Sequence, residues 1–158
     1  LSRRQRQMCI RDRVQGSIGK KGMVLNCESR RTHNIFTEAG IEHDYLHMDG
    51  QEVYKFAVRQ CPKCLLEALE KADMTADDID YFVLHQANVR IIESVAKRLK
   101  APIEKFPMTL GYTGNMSAAS VPVMLDSLVR DGGLKRGDKV AMSAFGAGLT
   151  YGAIVLEW

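Results

Sequence analysis

Apolar residues recur at helical spacing in the segment that runs from residue 52 to residue 71. Side chains three or four positions apart lie on the same face of a helix, so this face is expected to be buried. Pro62 lies inside the segment and would kink this helix or end its first half. The apolar positions are Val53, Phe56, Ala57, Leu65, Ala68 and Leu69.

Three more helical segments follow along the chain. Thr75 with Asp78 approximates a capping box and predicts a short turn of helix. Asn88 is expected to open the next helix, with Arg90 and Lys97 opposite its apolar side. The last helix begins at residues 117–120 and ends near 131–133. The apolar side of the helix after Asn88 consists of Val89, Ile92, Val95, Ala96 and Leu99.

The strand pattern is strongest at residues 81–84, an uninterrupted apolar run of the kind found in buried parallel strands. Residues 138–144 and 151–156 are predicted as the last two strands, joined by the small-residue loop 145–148. Residues 24–27 and 105–106 are weaker candidates. Because helices alternate with strands, we expect a layered α/β fold with a parallel or mixed β-sheet covered by helices.

The distribution of charge divides the 158 residues into three regions. Residues 1–31 hold nine of the 22 Lys and Arg residues and two of the 19 acids, so the excess positive charge belongs to this end. Residues 1–15 are interpreted as a non-native or disordered basic tail, with a nucleic-acid-binding arm as the alternative. Residues 16–44 form a poorly defined lead-in, and 45–158 form the folded domain. No apolar run approaches the roughly 20 residues of a transmembrane helix.

The four cysteines offer weak support for a metal site. Cys61 and Cys64 have the spacing of a zinc half-site, but a second half-site is missing unless His43 and His47 supply it across the fold. Free cysteines along a helix in a reducing cytoplasm are the simpler interpretation, so we expect no metal.

Three polar positions follow predicted strands or turns, where open α/β folds bind their ligands. They are His85, Asn115 and the loop 145–148. Each alone is unspecific, since a single histidine at a strand end is more often structural. Together, His85-Gln86-Ala87-Asn88, the segment from Gly114 to Ser120 and Phe145-Gly146-Ala147-Gly148 resemble, in order and spacing, active-site segments of the β-ketoacyl-acyl-carrier-protein synthase III family.

The resemblance covers residues 45–158 and implies a thiolase-like fold, of which this chain would be the carboxyl-terminal half. It implies an acyltransferase that condenses acyl-coenzyme A, expected to be acetyl-coenzyme A, with malonyl-acyl carrier protein to start fatty-acid synthesis. Decarboxylation of the malonyl group leaves an enolate oxygen, which needs preorganised donors. His85, neutral, and Asn115 would be these catalytic donors.

The resemblance also implies roles for the remaining positions. The backbone N–H of Ala147, with Gly146 shaping the turn, would bind the oxyanion, although an ordinary tight hairpin is the simpler interpretation. Phe145 would wall the acyl pocket and Asn88 would lie near the pantetheine arm. Arg90 would meet the acidic carrier protein, or else be a solvated arginine paired with Glu93.

The nucleophilic cysteine of the family has no counterpart among the four cysteines of this chain. The resemblance therefore predicts a fragment that is inactive alone and exposes an apolar face. It implies no cofactor, since coenzyme A enters as a thioester substrate, and a cytoplasmic homodimer at full length, without nucleic acid or membrane. Three alternatives stay open: a polyketide-type condensing enzyme of the same fold, a non-catalytic module that binds acyl carrier protein, and a structural zinc protein.

Overall fold

The computed structural model of the chain describes residues 9–27 and 45–158. Its main sheet has four strands: β1 (Cys9–Ser17), β4 (Tyr81–Leu84), β5 (Lys139–Gly146) and β6 (Thr150–Glu157), in the order β1-β6-β5-β4. β4 runs parallel to β5, whereas β6 is antiparallel to both of its neighbours. The short strands β2 (Leu25–Asn26) and β3 (His47–Met48) pair separately. The expected mixed sheet is confirmed.

Strand β1 corrects the interpretation of the amino-terminal region. Residues 9–15 pair with β6, from Cys9 opposite Glu157 to Gln15 opposite Gly152, with a shift of register between Ile10 and Asp12, so a disordered tail is wrong for these residues. Val14 is buried in the core beneath α1, and Arg11 forms an ion pair with Glu157. Residues 1–8 and 28–44, which include the rest of the tail and most of the lead-in, lie outside the described residues.

Helix α1 (Gly50–Lys71) is the longest element and covers one face of the sheet. The carboxylate of Asp49 accepts a hydrogen bond of 3.0 Å from Glu52 N and so caps the first turn. The helix continues through Pro62, so the alternative that proline ends its first half is wrong. All six predicted apolar positions are buried, and Cys61 and Cys64 join them.

Helix α2 (Val89–Leu99) packs beside α1. The side chain of Asn88 accepts a hydrogen bond from Arg90 N at 2.9 Å, as an N-cap does. The predicted apolar face is wrong at one position: Val89 is exposed and Ile91 is buried instead.

Two weaker predictions are wrong. The Asp78 carboxylate accepts hydrogen bonds from both N and Oγ1 of Thr75, and these bonds lower its pKa, but they close a turn rather than start a helix. Ile79 is then buried, and β4 begins two residues later. Residues 103–105 form a 3-10 turn, not a strand, and this turn places Phe106 in a stack on Phe82 at 4.7 Å between ring centroids.

Helix α4 (Ser120–Arg130) covers the opposite face of the sheet and follows the one-turn helix α3 (Leu110–Thr113). Successive residues of β4 face opposite sides: Phe82 and Leu84 pack against α1 and α2, while Val83 packs against Met124 and Leu128 of α4. The α/β class with helical cover is therefore confirmed. Within residues 9–27 and 45–158, no helix is long and apolar enough to cross a membrane.

Gly16 in β1 allows a close approach that another residue would prevent. A Cβ atom added there would lie 2.5 Å from Oη and 2.6 Å from Cζ of Tyr151, its partner across the strands. We expect Gly16→Ala to displace the ring of Tyr151 and to lower the free energy of unfolding by about 1–3 kcal/mol, measured by urea denaturation. Gly19→Ala is the control, since nothing lies within 4 Å of its added Cβ; equal stability of the two variants would contradict the prediction.

Candidate active site

His85 lies directly beyond the end of β4. Its backbone N donates to Ser143 O of β5 at 2.9 Å, which extends the parallel pairing by one residue and fixes where the side chain leaves the sheet. The ring nitrogen Nδ1 lies 2.6 Å from the hydroxyl oxygen of Ser120, at the start of α4. The ring also meets Phe145 edge-on, with 5.1 Å between centroids. Three separate elements therefore hold the imidazole.

Burial lowers the pKa of His85 below its ordinary value of 6.5. The ring is consequently neutral at pH 7. An NMR titration of the folded chain should give a midpoint below that of the same ring in the urea-unfolded chain. The unfolded state then binds the proton more readily, so stability should fall as pH decreases from 6.5 towards the folded pKa. A folded midpoint at or above the unfolded one would contradict this cause.

Asn115 lies in the turn between α3 and α4. Gly114 adopts a φ of +65° and Ser117 a φ of +50°, so the backbone turns sharply on either side of the asparagine. Asn115 is exposed, and its Oδ1 accepts a hydrogen bond from Ser117 N at 2.9 Å. With Oδ1 engaged, the amide nitrogen of Asn115 makes no hydrogen bond within the described part of the chain, and it can donate to a ligand.

A chain of hydrogen bonds connects the Asn115 turn to His85. Ser117 N is held by Asn115 Oδ1, the Ser117 carbonyl lies 2.6 Å from Ser120 Oγ, and Ser120 Oγ lies 2.6 Å from His85 Nδ1. The structure thus brings these two predicted catalytic residues into one network, although they come from different strand and helix ends. The turn that carries Asn115 is therefore linked to His85 through Ser117 and Ser120.

Gln86 positions the loop that leads to this turn. Its fully buried amide donates to Leu84 O at 3.0 Å, and its Oε1 accepts a hydrogen bond from Thr109 N at 3.1 Å. The carbonyl of Thr109 in turn accepts from Tyr112 N and Thr113 N in α3. A side chain adjacent to His85 therefore fixes the segment that carries Asn115.

Aromatic rings form the apolar side of the site. Phe145 packs against His85 and also against Phe56 of α1, with 6.4 Å between the phenyl centroids. Phe56 contacts Tyr151 of β6 at 6.1 Å. Phe56, Phe145 and Tyr151 thus form one aromatic group, and Phe145 is the member that contacts the imidazole.

The predicted loop 145–148 is shorter than expected. Phe145 and Gly146 belong to β5, where they pair with Tyr151 and Thr150, so only residues 147–149 form the turn of the hairpin. Ala147 is exposed and its carbonyl accepts from Thr150 Oγ1 at 2.9 Å. Gly148 adopts a φ of +130°, which a side chain would strain. Phe145, predicted as part of the loop, contacts His85 from the end of β5.

The two predicted binding residues on α2 lie at its amino end. Asn88 is exposed, but its side-chain oxygen is occupied as the N-cap of the helix. The side chain of Arg90 is exposed, and within the described residues it forms no ion pair with Glu93. The structure therefore leaves the guanidinium free to meet a partner.

The cysteines do not form a metal site among the described residues, where no cluster of three or more His, Cys, Asp or Glu could hold an ion. Cys61 and Cys64 are free thiols in α1. Burial raises the pKa of Cys61 to about 12 and also raises that of Cys64. Both thiols are consequently protonated and unreactive. His43, part of the zinc alternative, lies outside the described residues.

Sequence reasoning assigned no role to Ser120, Gln86 or Phe56. Ser120 and Gln86 lie within the segments that resemble the family. In the structure both polar side chains are fully buried close to His85, and this burial is what marks them. Burial of an individual serine is not visible in a sequence pattern. Phe56 was expected only as part of the apolar face of α1.

Comparisons with known proteins show which family the chain belongs to. The family model described as 3-Oxoacyl-[acyl-carrier-protein (ACP)] synthase III C terminal matches residues 69–158. The "Beta-ketoacyl-[acyl-carrier-protein] synthase III" of Synechococcus sp. (strain WH7803) is 47% identical over 147 residues, which cover 90% of this chain and 43% of the relative. The chain thus spans less than half the length of this curated relative.

Solved structures give the same result. The crystal structure of 3-oxoacyl-[acyl-carrier-protein] synthase III from Aquifex aeolicus VF5 superimposes with a TM-score of 0.86 at 33% identity, over 99% of this chain and 47% of that one. The priming β-ketosynthase of the R1128 polyketide pathway gives a TM-score of 0.84 at 36% identity, over 94% and 45%. The fold is therefore thiolase-like, as predicted, and the chain belongs to the family described as the C terminal of 3-oxoacyl-[acyl-carrier-protein] synthase III.

Proposed function

We propose that this chain is the oxyanion-stabilising half of a synthase that condenses an acyl-coenzyme A with malonyl-acyl carrier protein and releases carbon dioxide. The observation that carries the proposal is the hydrogen-bonded chain from Asn115 through Ser117 and Ser120 to His85. It gives two nitrogen donors a common support, and the ring of His85 also contacts the ring of Phe145.

The proposed reaction has two stages. An acyl group first passes from coenzyme A to a cysteine, and coenzyme A leaves as the thiol. The malonyl thioester then loses carbon dioxide, and the resulting carbanion attacks the acyl carbonyl and displaces the cysteine thiolate. During decarboxylation, His85 and Asn115 donate hydrogen bonds to the enolate oxygen. Dividing one difficult transfer into two steps is the usual advantage of covalent catalysis.

None of the four cysteines of this chain is suited to be the nucleophile of the proposed reaction. Cys61 and Cys64 are buried thiols with raised pKa values, whereas a nucleophilic thiolate needs a lowered pKa. Cys9 and Cys27 are exposed: Cys9 is the first residue of β1, and Cys27 directly follows β2. We therefore place the nucleophilic cysteine in the half of the enzyme that the relatives have and this chain does not span. This chain alone is expected to be inactive.

Other parts of the proposal follow from the same family. Ala147 N–H with Gly146 would bind the oxyanion of the attacked acyl group, Phe145 would wall the acyl pocket, and Asn88 would lie beside the pantetheine arm. The free guanidinium of Arg90 would steer the acidic carrier protein. Acetyl-coenzyme A as the acyl donor, a cytoplasmic location, a homodimeric full-length enzyme and the absence of a cofactor are parts of the same proposal.

The test is reconstitution. The chain is co-expressed with the amino-terminal half of the Aquifex aeolicus relative, and condensation of acetyl-coenzyme A with malonyl-acyl carrier protein is followed by mass spectrometry of the product. We expect product and carbon dioxide only when both halves are present. If a stable complex of the two halves forms but releases no carbon dioxide, while carrier protein still binds and this binding is lost in Arg90→Glu, the chain is a binding module and the proposal is wrong.

A further inference from the structure

Gln86 has a fully buried side chain that forms hydrogen bonds to three backbone groups. Its Nε2 donates to Leu84 O at 3.0 Å and to Pro107 O at 3.4 Å, while its Oε1 accepts from Thr109 N at 3.1 Å. The two carbonyl oxygens require the amide nitrogen and the N–H requires the amide oxygen, so these neighbours fix the orientation of the amide. The side chain is therefore held in one position.

The Leu84 carbonyl lies at the open edge of the main sheet. β4 is an edge strand, and on its paired side His85 N donates to Ser143 O of β5. The C=O and N–H groups of one trans peptide unit point in opposite directions, so Leu84 O points away from β5, to the side where a further strand would pair. Gln86 takes the place of that strand and joins the sheet edge to the loop at residues 107–109.

The loop needs this attachment because the helix that follows it is short. α3 has four residues, and a helix of one turn is not stable by itself in water. Two backbone N–H groups of α3 donate to the Thr109 carbonyl, so the helix begins on the residue that Gln86 holds. Gly114, with a φ of +65°, then turns the chain directly into Asn115. The position of Asn115 therefore depends on Thr109, and through it on Gln86.

We propose that Gln86 is a positioning residue for Asn115: it ties the Asn115 turn to the end of β4 and so sets where the Asn115 amide lies. The kinetic part of this inference rests on the proposed function. Because Asn115 acts on the enolate of the malonyl group, loss of the Gln86 amide slows decarboxylation and leaves transfer of the acyl group from coenzyme A to the cysteine unchanged. A side chain that only stabilised the fold would affect both stages alike.

The positional part is tested by NMR on this chain alone. Thr109 N donates to an oxygen of a side chain without exposed surface, so we expect strong protection of this N–H from hydrogen exchange. Gln86→Met keeps the length of the side chain but removes its three hydrogen bonds. We expect it to abolish the protection of Thr109 and to shift the side-chain amide signal of Asn115, which is assigned by its loss in Asn115→Ala. Gln51→Met, the same change at an exposed glutamine of α1, should alter neither signal.

The kinetic part is tested in the reconstituted enzyme. We expect Gln86→Met to lower kcat for carbon dioxide release by about 10–100-fold, because a small displacement of the donor misaligns it with the enolate oxygen. Single-turnover acylation of the cysteine by acetyl-coenzyme A, followed by mass spectrometry, should keep its rate. In an Asn115→Ala background, Gln86→Met should slow decarboxylation no further, since it acts through that residue.

Rapid exchange of Thr109 N–H in the unaltered chain would overturn the inference, even if Gln86→Met fails to fold. An unchanged kcat in Gln86→Met, equal slowing of both stages, or a further loss of rate in the Asn115→Ala background would overturn it as well. If the unaltered halves form a complex that releases no carbon dioxide, the proposed function is contradicted, and the NMR results alone decide whether Gln86 positions Asn115.

Discussion

Replacing Asn115 by alanine in the reconstituted enzyme is expected to slow condensation by about 10²–10³-fold, because the oxyanion loses one of its two donors. The effect should fall on kcat for malonyl decarboxylation more than on KM, since the bond strengthens as negative charge develops. Carbon dioxide release from malonyl-acyl carrier protein, measured at saturating substrate, gives this rate.

Asn115→Asp separates the donor role from the structural role of this side chain. Aspartate keeps the oxygen that accepts the hydrogen bond from Ser117 N, so the turn is retained. It lacks the amide donor and places negative charge beside the enolate. We expect the aspartate variant to be at least as slow as the alanine variant. Near-normal activity of Asn115→Asp would mean that Asn115 only shapes the turn.

Phe82→Ala is expected to lower the free energy of unfolding by about 3–5 kcal/mol. Phe82 has no exposed surface, it lies in the centre of β4, and its ring stacks on Phe106 at 4.7 Å. Its removal leaves a cavity between the sheet and helices α1 and α2, directly beneath the strand that carries His85. Urea denaturation followed by circular dichroism measures the change.

Val129→Ala is the matched control for the core substitution. Val129 lies on α4 with 41% of its surface exposed, so truncation should change stability by no more than about 0.5 kcal/mol. A loss below about 1 kcal/mol in Phe82→Ala would contradict the central position of this ring in the core.

The sequence predicted the elements whose pattern is strong. The unbroken apolar run of β4 and the capping residue Asn88 placed a strand and a helix correctly, and His85 between them followed from both. The charged residues of β1 conceal its strand character: only Val14 is buried, and the pairing that stabilises β1 comes from β6 at the other end of the chain. No local pattern reports such a contact.

The same distinction applies to the site. His85, Asn115 and Phe145 were proposed as site residues because their segments resemble those of a known family in order and spacing, and the structure places Phe145 against His85. Ser120 could not be assigned a role, because serine is common at helix starts and only the tertiary structure brings its hydroxyl to Nδ1. The contact of Phe56 with Phe145 likewise joins α1 to β5 across the fold.

The central claim is that His85 and Asn115 donate to one oxygen atom. A crystal structure of the reconstituted enzyme with a malonyl thioester analogue that cannot decarboxylate tests it most directly. The account predicts the thioester oxygen within about 2.7–3.1 Å of both His85 Nε2 and Asn115 Nδ2. An oxygen bound by only one of them, or a thioester that lies away from both, would contradict the account.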